Sequence, residues 1–197
     1  MTIICQSHDD SSSKATSLWA INYPGTGVWR RLKKRTIHPP SYAFRTALPI
    51  PCLLSNMKDG TLLGAIDLGS NSFRLELAQV DHGQIERIDY LKETVRQGAG
   101  LDTNRMLSAE SMQRGWMCLQ RFAERLRGIP SHQIRAVATQ TLREARNRDE
   151  FIAKGETILG CPIDVISGKE EARLIYQGVS HLLPQSNETR LVIDIGG

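Results

Sequence analysis

No apolar stretch in this chain approaches the ~20 residues that a membrane-spanning helix requires, and no apolar core follows a charged start. Neither a transmembrane segment nor a secretory leader is therefore expected. Cysteine is sparse. Cys5, Cys52, Cys118 and Cys161 have neither metal-ligand spacing nor the density of a disulfide framework, which fits a reducing, cytoplasmic setting. Cys161, just before Pro162 at the start of an apolar strand, reads as a small core residue, and the histidines show no metal spacing either. Gly-x-x-x-x-Gly-Lys-Ser/Thr is absent, since Gly168-Lys169 lacks the upstream glycine, and this excludes a P-loop nucleotidase. Without Gly-x-Gly-x-x-Gly the usual dinucleotide fingerprint is missing as well.

Charge of one sign is scarce where it would matter. The 25 Lys/Arg against 21 Asp/Glu give a formal +4, but the excess sits at the front of the chain. Residues 1–56 hold seven basic and two acidic side chains, leaving 18 and 19 for the remainder, which is nearly neutral. The body of the protein therefore gives no electrostatic reason to bind nucleic acid. The first 56 residues, with Ser11-Ser12-Ser13, the Arg30–Arg35 cluster and prolines at 39, 40, 49 and 51, show no sustained period and are expected to form a disordered basic arm. That arm is either plainly solvated or touches an anionic surface. Met57, directly before the ordered pattern, is a plausible start, in which case the arm is not native.

From Leu62 the pattern is regular. Leu62–Leu68 reads as a buried strand, Phe73–Leu77 alternates as a second, and Asp81-His82-Gly83 is a hairpin signal leading to a third strand across Ile85–Val95. Ser108 suits an N-cap for a helix that carries Met112, Trp116, Leu119, Phe122, Ala123 and Leu126 on one face and stops at Gly128 and Pro130. Strand Ile134–Ala138, a helical turn at Thr141–Ala145, helix Asp149–Leu159 and strand Ile163–Ile166 follow. A helix then opens at Gly168 with Ala172, Ile175, Val179 and Leu182 on its apolar face, and Gly178 within it suggests close packing. Leu191–Ile195 is a last strand. The order β-β-β-α-β-α-β-α predicts an α/β lobe of the ribonuclease-H-like, actin-like ATPase architecture over residues 57–183, with residues 190–197 forming the first strand of a second lobe.

Chemistry concentrates at three strand ends. Asp67-Leu68-Gly69-Ser70-Asn71-Ser72 places a carboxylate beside a small, polar loop whose N–H groups can cradle an anion; an Asx-type turn would use the same residues. Asp194-Ile195-Gly196-Gly197 repeats the acidic strand-to-glycine pattern, and two such turns suggest two lobes facing one phosphate site. Asp67 would repel a phosphate directly, so its sensible role is to hold Mg2+. In Ser167-Gly168-Lys169-Glu170-Glu171-Ala172, Glu170 suits the helix dipole, while Glu171 lies at the edge of the buried stripe and can face a cleft and orient a water. Arg143, after Thr139-Gln140-Thr141-Leu142, either grips a phosphate through its planar fork or forms a surface salt bridge.

Read together, Ala65 to Phe73, Phe122 to Leu126, Thr141 to Arg143, Ile166 to Ile175 and Val192 to Gly197 resemble the exopolyphosphatase / guanosine pentaphosphate phosphohydrolase (Ppx/GppA) family, in the family's order and across Leu62 to Gly197. The resemblance implies hydrolysis of a terminal phosphate from polyphosphate or from guanosine pentaphosphate, with Mg2+. It implies Glu171 as the water-activating glutamate and Gly69, Ser70, Asn71 and Ser72 as the first phosphate loop with Arg143 beside it. Gly196 and Gly197 would open the second loop, and Asp67 and Asp194 would be the metal ligands. A homodimer is implied for the full-length protein. Family members continue past this point into a Ser-Thr-Glu run and a second lobe. The chain is therefore expected to be an N-terminal portion whose last strand lacks a sheet and whose turnover falls at least ~10³-fold below an intact homologue's. A non-catalytic polyphosphate- or alarmone-binding module is the alternative, and a kinase on the same fold is less favoured.

Overall fold

The computed structural model describes residues 2–6, 18–21, 57–183 and 190–194. Its elements run β1 (Thr2–Gln6), β2 (Leu18–Ile21), β3 (Leu62–Leu68), β4 (Ser72–Asp81), β5 (Gln84–Thr94), α1 (Ala109–Arg125), β6 (Ile134–Ala138), α2 (Gln140–Glu144), α3 (Arg148–Leu159), β7 (Ile163–Val165), α4 (Gly168–Leu182) and β8 (Arg190–Asp194), with 3-10 turns at Gln97–Gly100 and Ser131–Gln133. Strands β3 to β7 form one sheet in the order β5-β4-β3-β6-β7. The meander β3-β4-β5 is antiparallel, while β6 and β7 join β3 in parallel through helical crossovers. An antiparallel meander extended by parallel strands on the side of its first strand is the ribonuclease-H-like arrangement expected from the element order.

Local sequence explains why these elements form. Strand β3 alternates, with Ile66 and Leu68 buried and Ala65 and Asp67 turned to the opposite face. It is thus buried on one face only, where the apolar run alone had suggested a fully buried strand. Helix α1 starts at Ser108, whose hydroxyl accepts from the Ser111 amide at 3.2 Å, and its stripe of Met112, Trp116, Leu119 and Phe122 fills the core under β3 and β4. Trp116 stacks on Phe151 of α3 and donates its indole N–H to the Phe151 carbonyl at 3.0 Å. Cys118 and Cys161 are buried free thiols. Among the described residues no helix is long and apolar enough to cross a membrane.

Three expectations are corrected. The second strand extends to Asp81, well past Leu77, because Leu62–Leu68 keeps it paired through Leu62↔Gln79. Gly178 was expected to allow close packing, yet a Cβ there meets nothing within 4 Å among the described residues, so its helix cost has no packing counterpart here. Residues 1–56, expected to form a disordered arm, lie outside the described residues apart from 2–6 and 18–21, and the last strand was expected to lack partners. Instead β1 pairs antiparallel with both β2 and β8. Thr2, Ile3 and Ile4 are strong β-formers, and the unpaired N–H and C=O groups of an apolar strand favour any extended segment that can satisfy them.

Candidate active site

The candidate side chains gather at the C-terminal edge of β3, β6 and β7, where strands feed into helices or loops. Asp67, the penultimate residue of β3, lies in register with Arg74 of β4 and Val137 of β6. Arg74 Nη1 donates to Asp67 Oδ2 at 3.2 Å. Burial nevertheless holds the Asp67 carboxyl above the ordinary aspartate range; Arg74 opposes that rise and the nearby Asp194 adds to it.

The loop after β3 is held from behind. A Cβ on Gly69 would lie 2.9 Å from the Ser72 carbonyl oxygen, so the tightness of this turn requires glycine. The Ser70 carbonyl accepts from the Gly98 amide at 2.8 Å, and the Asn71 carbonyl accepts from the Val95 and Arg96 amides at 3.0 and 2.8 Å. With its carbonyls engaged there, the loop keeps the amides of Gly69, Ser70 and Asn71 without a hydrogen bond among the described residues. Orphan amides at a loop of this size form a cradle for an anion. Ser70 is half-buried, Asn71 exposed and Ser72 buried at the foot of the loop.

The second edge is tied to the first by Thr139, whose amide donates to the Leu68 carbonyl at 3.3 Å. Arg143, on the short helix that follows, donates through Nη1 to the Ile166 carbonyl at 2.9 Å and to Glu171 Oε2 at 3.3 Å. Of the two alternatives for Arg143 the structure shows the ion pair: its partner is the candidate base, and both side chains remain about a quarter to a third exposed. Helix α4 is capped by Ser167, whose hydroxyl accepts from the Glu170 amide at 3.2 Å, and this fixes the first turn that carries Glu171. Glu170 turns away to pair with Arg173, as a dipole-stabilising residue would. Burial raises the Glu171 carboxyl above its ordinary value. Arg143 opposes this, and Asp67 and Asp194 add repulsion.

Asp67 and Asp194 both add repulsion at Glu171, and Asp194 adds it at Asp67, a repulsion that a divalent cation would relieve. The three carboxylates form no close chelate. Among the described residues the group tight enough for that is Asp59, Asp81 and His82, at the exposed hairpin turn at the other end of β4. The donor set still fits Mg2+, which commonly takes one or two carboxylates and completes its shell with water and phosphate oxygens. Gly196 and Gly197 lie outside the described residues. Sequence reasoning missed Arg74 and the clasp at residues 95–98. Arg74 could have been found, because a tight turn at Ser70-Asn71 sets Leu68 opposite Phe73 and hence Asp67 opposite Arg74.

Such a lobe, with an acidic strand end, a tight glycine loop and a half-buried glutamate on the neighbouring edge, has the actin-like fold. The chain belongs to the Ppx/GppA phosphatase family, whose model matches residues 77–197. Among solved structures it is similar to an exopolyphosphatase-like protein at 34% identity, with a TM-score of 0.55, covering 59% of this chain and 36% of that one. An exopolyphosphatase from Cytophaga hutchinsonii matches at 26% identity and TM-score 0.58, over 61% and 38% of the two chains. The type II variant of the Aquifex aeolicus Ppx/GppA phosphatase matches at 25% and 0.57, over 62% and 41%. The chain thus spans about two fifths of the length of these relatives.

Proposed function

We propose that this chain carries the first half of a phosphoanhydride hydrolase site that removes the terminal phosphate of inorganic polyphosphate, of guanosine pentaphosphate, or of both. The observation that carries the reading is the convergence of an anion-cradling loop with a half-buried glutamate whose carboxyl is raised by burial. Glu171 takes a proton from a water as that water attacks the terminal phosphorus, and the bridging oxygen departs with the remainder of the chain. A base raised above the ordinary carboxylate range is better matched to neutral pH than an exposed glutamate. Arg143 holds Glu171 through Oε2, which leaves Oε1 for the water, and its guanidinium is near enough to the edge to meet phosphate oxygens. The free amides of Gly69 to Asn71 seat the phosphate. Asp67 and Asp194 would hold Mg2+, which supplies neutralisation of phosphate charge when bound.

Phosphate release from polyphosphate and from guanosine pentaphosphate, measured with Mg2+ for the wild type and for Glu171→Gln, tests this. Loss of 10²–10⁴ in kcat with substrate binding retained is expected, the usual range for a positioned base. A loss below tenfold would remove Glu171 from the reaction.

A further inference from the structure

Among the described residues three non-glycine residues adopt the left-handed conformation: His82, Arg96 and Arg105. His82 lies in the β4–β5 hairpin turn, and Arg105 in a tight turn that Asp102 ties to Asn104 and Met106. Arg96 differs in its surroundings. With φ 52° and ψ 48° it stands between the buried Val95 and the fully buried Gln97, and its own side chain is thrown outward into solvent. Its amide donates to the Asn71 carbonyl, so its backbone is clasped to the candidate phosphate loop. Among the described residues its guanidinium has no hydrogen bond or ion pair. A left-handed turn is served more cheaply by glycine or asparagine. Strain retained by a bulky cation on the rim of an anion cradle calls for a use of that cation.

We infer that Arg96 is a substrate contact, binding the phosphate next in the chain to the one seated in the Gly69–Asn71 loop. This inference rests on the phosphate-loop reading above. The loop's amides serve one phosphoryl group, while a flexible arginine anchored beside Asn71 reaches the following group of an anhydride-linked chain. The ligand class is a linear chain of two or more phosphates, whether inorganic or the 5′ end of a nucleotide. A lone orthophosphate fills the loop and leaves Arg96 unused.

Calorimetric titration of the 197-residue chain with orthophosphate, tripolyphosphate and GTP, each with Mg2+, tests the assignment in wild type, Arg96→Gly, Arg96→Asn and Arg105→Gly. Arg96→Gly and Arg96→Asn are expected to weaken tripolyphosphate binding by roughly tenfold, the scale of one charge-assisted contact, with orthophosphate binding unchanged within twofold. Because both variants relax the backbone, their melting temperatures should be equal to or above that of the wild type. A merely structural arginine would instead move stability and leave chain affinity alone. Arg105→Gly should relax a comparable turn without changing any affinity. An equal loss for tripolyphosphate and GTP supports a contact to the shared chain, and a loss for one of them supports the assignment and names the source. Binding of all ligands unchanged in the Arg96 variants overturns the role of Arg96 and leaves the loop standing. Failure of the wild type to bind orthophosphate and tripolyphosphate overturns the loop reading and this inference with it.

Discussion

At Glu171 the environment works against the charge that the chemistry needs. Its folded carboxyl keeps a proton to higher pH than the unfolded one, so the folded state binds more protons in the window between the two values. Stability from this group is fully present below the ordinary glutamate value and is lost as pH rises through the raised one. Glutamine cannot ionise. Glu171→Gln should therefore melt above wild type at pH 7, and the difference should vanish near pH 3.5. Thermal melts at the two pH values check this, and an unchanged or lowered melting temperature at pH 7 contradicts it. Arg143 lowers the same carboxyl, so Arg143→Gln should move the acid limb of the pH–kcat profile upward, toward neutral pH. A limb that stays in place would separate Arg143 from the base. The sequence made Glu171 legible through its position beside Ala172, but not its partner: Arg143 and Glu171 are 28 residues apart and meet only because β6 and β7 are parallel neighbours.

At the level of elements, two short-range signals carry much of the site. The sequence placed the start of α4 at Gly168, and the hydroxyl of the preceding Ser167 caps that helix. Ser167→Ala should cost about 1 kcal/mol of stability and, by loosening the turn that holds Glu171, lower turnover as well. Denaturant titration and phosphate release measure the two effects, and a stability loss with turnover unchanged would show that the cap serves only the fold. Gly115 in α1 shows where helix propensity is overruled. Alanine there would gain about 1 kcal/mol of propensity. Its Cβ, however, would lie 2.6 Å from the Phe151 ring and 3.0 Å from the buried Gln97 amide, and neither is a free side-chain end that can move aside. Overpacking of this kind costs about 1–3 kcal/mol, so Gly115→Ala should be destabilising on balance in a urea titration. Greater stability would show that the core yields more readily than its packing implies. Periodicity identified α1 and its buried stripe but not this contact, because Phe151 arrives from another helix 36 positions away.

Across the molecule, the order of strands and helices was enough to give the sheet. A β-β-β meander followed by β-α alternation has few solutions once crossovers must be right-handed and strands adjacent. The pairing of β8 with β1 was beyond reach, because antiparallel pairing between distant segments depends on which edges are left open rather than on any local pattern. The site was legible at its two acidic strand ends and its glutamate. It was not legible in the clasp from Val95 to Gly98, whose hydrogen bonds are made by backbone atoms and so leave no trace in residue type.

The central claim is that the β3 loop, the Thr139–Arg143 edge and the start of α4 face a single phosphate chain. Amide chemical shifts of the 197-residue chain, followed by NMR during titration with tripolyphosphate and Mg2+, test it most directly. The account predicts saturable shifts with one shared midpoint at Gly69 to Ser72, Thr139 to Arg143 and Gly168 to Glu171, and none at the Ser131–Gln133 turn that precedes β6. Shifts confined to one of these segments, or appearing in them with different midpoints, would contradict it.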